Sequence, residues 1–259
     1  MPTSKTPIFT KGRILKIEML EQMRDYPLDV LDILTQPLSD GIITGLHISI
    51  SESVLTVHKG IIKYNGTAYL IPSPTEITYG SSEEDTILKI IIHPPNITED
   101  YTETQFEFQL TSNFELETHE MELARFKLKP GAYLRDDYQD LADFVTVYNT
   151  VNVVHCAYAG LGGEASISPD VTAYFARELM VNETENLHDI AICYGLLNET
   201  RAIRREVLER YIATRLGRPY AKLSNTEIHQ SLVSIITKVK QERRTGAASF
   251  TGSRRLIVD

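Results

Sequence analysis

Residues 40–72 read DGIITGLHISISESVLTVHKGIIKYNGTAYLIP, and this stretch decides the fold. Asp40-Gly41 and Asn65-Gly66 are dipeptides that accept the positive φ angles of tight hairpin turns. Between them apolar and polar residues alternate. Leu46, Ile48 and Ile50 fall on one face, and His47, Ser49 and Ser51 on the other. Leu55 and Val57 continue the pattern against Thr56 and His58. A period of two means strands with one buried face.

Working outward, the same pattern extends towards the C-terminus. Ile77 and Tyr79 suit a short strand, and the polar run Gly80–Asp85 suits a loop. Thr86–Ile92 (TILKIII) is nearly all apolar, which predicts a central strand buried on both faces. Phe106, Phe108 and Leu110 alternate with Glu107 and Gln109, and Ala124, Phe126 and Leu128 with Arg125 and Lys127. Pro130-Gly131 ends the series. Strands at this spacing predict an antiparallel sandwich or barrel over residues 40–135.

The flanks read differently. Residues 1–39 predict an extended arm, then two short helices separated by Pro27 and packed on the first strands. Residues 136–165 form a connector with helical spacing at Tyr138, Leu141, Phe144, Val145 and Tyr148. Val151–Val154 within it is strand-like, and Gly160-Leu161-Gly162-Gly163 reads as a flexible break at a domain boundary. Residues 166–242 predict a small helical bundle. Ser168-Pro169 opens its first helix, with Val171, Tyr174, Phe175 and Leu179 as the apolar stripe. The next is expected to turn Ile190, Ala191, Tyr194 and Leu197 inward. Ser224 and Glu227 make a capping box for the last, with Leu223 and Ile228 as its staple. Residues 243–259 are a basic tail in which Thr245–Ser253 reads as a linker. The fold class is therefore α+β: N-terminal short helices, an antiparallel β sandwich or barrel-like domain, and a C-terminal helical bundle.

Composition narrows the classes. With 259 residues the chain can bury a proper core. No apolar run is long enough to span a bilayer, and the first residues lack the apolar core of a secretory leader. Cys156 and Cys193 supply no disulfide framework, so synthesis in a reducing cytosol is expected. Asn65, Asn96, Asn182 and Asn198 head Asn-x-Thr triplets, which read as turn and cap chemistry. The net charge of −9 is unevenly spread: twelve acids and one lysine lie between Glu76 and Glu122, and six bases with two acids from Lys238 onward. Such asymmetry suits a nucleic-acid tail or complementary protein faces.

The motifs that carry chemistry are weak. No phosphate-cradling G-x-x-x-x-G-K-[ST] occurs, and the glycines at 160–163 lack its lysine. His119-Glu120 begins an H-E-x-x-H pattern that Leu123 breaks. His155 and Cys156 are adjacent on a strand-like segment, so they point to opposite faces and do not make a nucleophile–base pair. Arg201, Arg204, Arg205 and Arg210 make one helix basic, but Glu206–Arg210 and Arg205–Glu209 are spaced to pair along it. No catalytic, cofactor or metal site is assigned. The candidate contact residues are Arg254, Arg255, Leu256, Ile257, Val258 and Asp259, an apolar β-prone terminus suited either to adding to a neighbour's sheet edge or to docking on its own domain.

Four stretches carry a family resemblance: Asp40–Tyr69, Leu123–Tyr138 (LARFKLKPGAYLRDDY), Val147–Gly160 (VYNTVNVVHCAYAG) and Arg254–Asp259 (RRLIVD). Together they resemble tail-associated, fibre-adaptor-like baseplate proteins of contractile phages and of phage-tail-like particles (tailocins) of Gram-positive bacteria. The resemblance implies a non-enzymatic structural component that joins the baseplate to receptor-binding fibres. Its expected partners are other baseplate and tail-fibre proteins and further copies of itself in a symmetric assembly. No cofactor, membrane or nucleic acid is expected. Two other classes stay open from the residues alone: a nucleic-acid-binding protein using the basic tail, and a carbohydrate-binding module or hydrolase on the β domain. For the latter, Tyr64, Tyr69 and Tyr79 are the candidate stacking residues.

Overall fold

The computed structural model describes residues 3–81 and 83–250, with side chains as far as Arg243. After an extended arm comes helix α1 (Ile17–Thr35), then strands β1 (Gly41–Gly45), β2 (Ile48–Ser51), β3 (Val54–Val57), β4 (Gly60–Tyr64), β5 (Thr67–Ile71) and β6 (Thr75–Thr78). The order continues with β7 (Asp85–Ile92), the short pair β8 (Asn96–Ile97) and β9 (Thr102–Glu103), β10 (Phe106–Thr111) and β11 (Glu120–Lys127). A 3₁₀ turn at Leu141–Val145 leads to helices α2 (Pro169–Val181), α3 (Leu187–Asn198), α4 (Arg205–Leu216) and α5 (Asn225–Phe250).

All the strand pairings are antiparallel, in three three-stranded sheets of order β1-β4-β5, β2-β3-β6 and β10-β7-β11, plus the β8-β9 ribbon. No sheet closes into a barrel among the described residues. The apolar run in β7 is central, as its composition predicts, with Ile87, Leu88 and Ile90 fully buried. Asn65 and Gly66 both take positive φ and turn β4 into β5. Asp40 fixes that turn from outside, its carboxylate accepting from the N–H of Asn65 at 2.9 Å and of Gly66 at 3.1 Å. The dipeptides at the two ends of the decisive stretch thus meet in space. Gly41 is the one residue type that fits its place: φ is 138°, and a Cβ would lie 2.7 Å from the Ala157 carbonyl oxygen.

The apolar residues gather in two principal clusters. One joins the sheets through Ile42, Leu55, Ile62, Leu88, Ile90 and Phe126. The other fills the helical half through Phe144, Phe175, Leu179, Leu208, Leu232 and Ile235. Helix α2 is capped as expected by Ser168, whose Oγ accepts from the Asp170 N–H at 3.2 Å. The capping box also forms: the Ser224 N–H donates to Glu227 at 2.7 Å, and the Glu227 N–H to Ser224 Oγ at 3.3 Å.

The structure differs from the sequence expectations in four places. Pro27 lies inside a single helix α1 rather than between two short ones. Proline removes one intrahelical bond but its fixed φ suits a helix, and the Leu, Glu, Met and Gln residues around it propagate the rest. Nor does α1 pack along the strands: it meets β4 and β5 at its base, and Thr35 alone is buried. In α3 the inward face is Asp189, Ile192, Cys193 and Leu196, while Tyr194 and Leu197 are exposed. Finally, α5 runs to Phe250, so the first part of the expected linker is helical; Ala247 and Ala248 favour that extension.

Candidate interaction surfaces

Helix α1 is held at one end. The Lys63 side chain, buried on β4, donates to the carbonyls of Thr35 and Leu38 at 2.9 Å each and of Gln36 at 3.3 Å. An ammonium is the natural partner for a helix C-terminus, where carbonyls lack intrahelical donors and carry partial negative charge. A small cluster of Leu38, Ile43 and Ala159 seals the base. Beyond it the helix leaves the body with Leu20, Met23, Val30 and Leu34 exposed. The N-terminal arm returns along one flank, where Gln22 Nε2 donates to the Lys5 carbonyl at 2.5 Å.

The connector ties the two halves. Val151, Cys156 and Tyr158 belong to the β cluster, and Leu141, Phe144 and Val154 to the helical one. Helix α5 and the connector are further joined by the Asn225 side-chain amide on the Cys156 carbonyl, 2.9 Å, and by His229 Nε2 on the Leu141 carbonyl, 2.7 Å. Gly160 is tied rather than slack: its N–H donates to Ser39 Oγ at 3.0 Å and its carbonyl accepts from the Ser39 N–H at 2.9 Å.

A buried ionic centre sits inside the bundle. Asp189 is fully enclosed, and its carboxylate accepts from Tyr211 at 2.8 Å, Thr184 at 2.7 Å and Arg215 Nε at 3.0 Å. Arg215 reaches on to Glu242 at 2.8 Å, which holds that carboxyl below its ordinary pKa. Sequence reasoning missed this centre, because it turned Ile190, Ala191, Tyr194 and Leu197 inward and gave Asp189 no part. Its place four residues before Cys193 and seven before Leu196 was the available clue.

The remaining chemistry-bearing residues do not converge. Among the described residues no group of three or more His, Cys, Asp or Glu could hold a metal. Both cysteines are buried. Burial pushes the Cys193 thiol up to about 12 and raises that of Cys156, whose Sγ–H donates to the Leu123 carbonyl at 2.6 Å. Such thiols are poor nucleophiles. Tyr64, Tyr69 and Tyr79 all pack against or within the β cluster. Tyr69 meets Phe106 edge-on with centroids 6.0 Å apart, and the Tyr79 hydroxyl donates to the Glu52 carbonyl. They do not form an open stacking cleft.

Of the basic residues, Arg210 pairs with Glu206 as its spacing predicts, at 2.8 Å. Arg205 instead donates to the carbonyls of Ala165 and Leu223, both at 2.6 Å, and to Asn225. Glu209 turns inward, accepting from Tyr220 and from the Leu223 N–H at 3.0 Å. Lys240 and Arg243 are paired with Glu178 and Glu183, at 2.7 Å each. The contact candidates Arg254, Arg255, Leu256, Ile257, Val258 and Asp259 lie outside the described residues. No helix among the described residues is long and apolar enough to cross a membrane.

The sequence matches no protein-family model and no curated protein. By fold it is similar to solved structures of TssK. One is a chain of the type VI secretion system TssK-TssF-TssG baseplate subcomplex, 11% identical, with a TM-score of 0.39, covering 92% of this chain and 100% of that one. A crystal structure of TssK is 8% identical with a TM-score of 0.43, covering 93% of this chain and 72% of that one. A chain of the type VI secretion baseplate complex is 10% identical with a TM-score of 0.40, covering 91% and 69%. A likeness of this degree concerns the course of the chain and transfers no residue or site.

Proposed function

We propose that this protein is a non-enzymatic structural adaptor in the baseplate of a contractile phage tail or tail-like particle, joining the baseplate to receptor-binding fibres. One observation carries the reading: α1 is an apolar element that the fold secures at its C-terminal end and leaves uncovered. A protein that acts alone gains nothing by exposing such a face. A component of an assembly uses it for a neighbour. The sequence resemblance supports the same reading. Its stretches Asp40–Tyr69 and Val147–Gly160 form the first sheets and the segment that ties them to the bundle, which are scaffold rather than catalytic elements.

In this role copies repeat around the particle axis. The chain is made in the bacterial cytoplasm and assembled into the particle with baseplate and fibre proteins. Purified particles provide the test. Mass spectrometry is expected to find this chain beside sheath and tube proteins, and particles made without it are expected to lack fibres. Its absence from intact particles would overturn the proposal. Salt-sensitive DNA binding that disappears on deletion of residues 243–259 would favour a nucleic-acid role instead.

A further inference from the structure

The uncovered face of α1 has an order of its own. Leu20, Met23, Pro27, Val30 and Leu34 follow one another at spacings of three and four, the a and d positions of a heptad. Met19, Tyr26 and Ile33 flank this seam on one side, and Ile17 and Leu31 on the other. Leu20, Met23, Tyr26, Val30, Ile33 and Leu34 are between 37% and 68% exposed. The arm runs along the flank that carries Glu18, Met19, Gln22, Asp25, Tyr26 and Asp29, and leaves Leu20, Met23, Val30 and Leu34 open.

We propose that this seam is the site at which α1 packs against α1 of a second copy of the chain. Charge placement is the first argument. Five acids lie on the helix, Glu18, Glu21, Asp25, Asp29 and Asp32, and each falls on an outer position of the heptad. The one charge at a seam-flanking position is Arg24, already paired with its own Asp25 at 2.6 Å. Two copies therefore approach without setting like charges face to face.

Area is the second argument. Burying a large apolar side chain from full exposure corresponds to roughly 60–120 Å², so the exposed portions of these six on each copy supply on the order of 400–800 Å² in total. That is the size of a weak contact, one that repetition in a symmetric assembly reinforces. The same seam on both partners is self-complementary, since knobs at three–four spacing fit the holes between knobs of the same spacing. Pro27 stands at the centre with an apolar ring. The inference deepens the proposed function and takes from it only the expectation of repeated copies.

The test uses the full chain. Analytical ultracentrifugation from roughly 10 µM to 1 mM, where a weak contact populates its associated form, is expected to show concentration-dependent self-association. The double variant Val30→Glu, Leu34→Glu places acids in the seam and is expected to weaken association by about tenfold or more. Both side chains are exposed, so far-ultraviolet circular dichroism should not change. A Leu34→Cys variant is expected to form a disulfide-linked dimer on mild oxidation, which serves if the charged variant misfolds. A monomeric wild type, unchanged association in the charged variant, or failure of Leu34→Cys to cross-link would each overturn the proposal. Binding of a different baseplate protein through the seam by a monomeric wild type would overturn self-association while leaving the adaptor reading standing. Absence of the chain from particles would do the reverse.

Discussion

Helices α1 and α5 carry the same kind of sequence and meet different fates. Both are amphipathic, with apolar residues at spacings of three and four. In α5, Ile228, Leu232, Ile235, Ile236 and Val239 are buried to 3% exposure or less, against α2, α4 and the 3₁₀ turn. In α1 the equivalent residues face outward, and the contact with the body is at the Lys63 end. The periodicity of an apolar stripe establishes that a face seeks cover. What covers it depends on where the chain places its neighbours. For α5 the cover lies within the chain; for α1 the cover we propose is a second copy.

The comparison can be broken from the covered side first. Asp189→Ala leaves buried Arg215 with Glu242 as its remaining carboxylate and removes the acceptor of the Tyr211 and Thr184 hydroxyls, and is expected to cost about 3–5 kcal/mol of stability in a denaturant titration. Leu232→Ala opens a cavity beneath α5, and is expected to cost about 2–5 kcal/mol by the same measurement. Lys63→Met strips donors from the three carbonyls at the base of α1, with an expected cost of about 1.5–3 kcal/mol. Its distinctive outcome is faster hydrogen exchange and proteolysis within residues 17–35, with the bundle unaffected. On the uncovered side, Leu34→Ala is expected to change the stability of the monomer by no more than about 0.5 kcal/mol. A loss as large as that of Leu232→Ala would show that α1 is covered in the isolated chain.

Protonation sharpens the contrast further. His229 is buried against the connector, and desolvation lowers its pKa below 6.5 despite the hydrogen bond to the Leu141 carbonyl. A folded-state pKa below the unfolded value means the unfolded chain binds the proton more readily. Stability should therefore fall as pH drops through 6.5 towards the folded value. Glu120 and Asp143, held down by hydrogen bonds from Lys89 and Arg135, add a second loss at lower pH, below the ordinary value of each carboxyl. Melting temperatures at pH 7 and pH 5.5 are expected to differ in the wild type and to differ less in His229→Gln, the remainder coming from His155, whose pKa burial also lowers.

The β half was largely legible because its apolar residues follow the strand period, although Lys63, Lys89 and Glu122 are buried. Thr86–Ile92 read as central, and the turn at Asn65-Gly66 formed as its dipeptide required. The helical half was legible in its caps, at Ser168 and Ser224, and in the stripe of α5. It was misread in α3, where an acid lies on the inward face because Arg215, Tyr211 and Thr184 await it there. A partner 26 residues away leaves no mark on a local pattern. The exposure of α1 was hidden for a similar reason: its stripe is indistinguishable from one that folds inward. Nor could spacing reveal that Lys63 would leave the polar surface to hold the end of a helix 28 residues earlier in the chain.

The connector has a mechanical consequence. Val151 and Val154 are three residues apart, yet each is rooted in a different core. Such a segment cannot slide towards one core without drawing out of the other, and Ser39 pins the glycine that follows it. Bending needs a few residues free to absorb a change in backbone angles, and this joint offers none between Val151 and Val154. In an assembly that contracts, a load entering through the sheets would pass to the bundle with little lost to bending. The two halves would then act as one strut, with α1 held to it at its base by Lys63 and the small cluster of Leu38, Ile43 and Ala159.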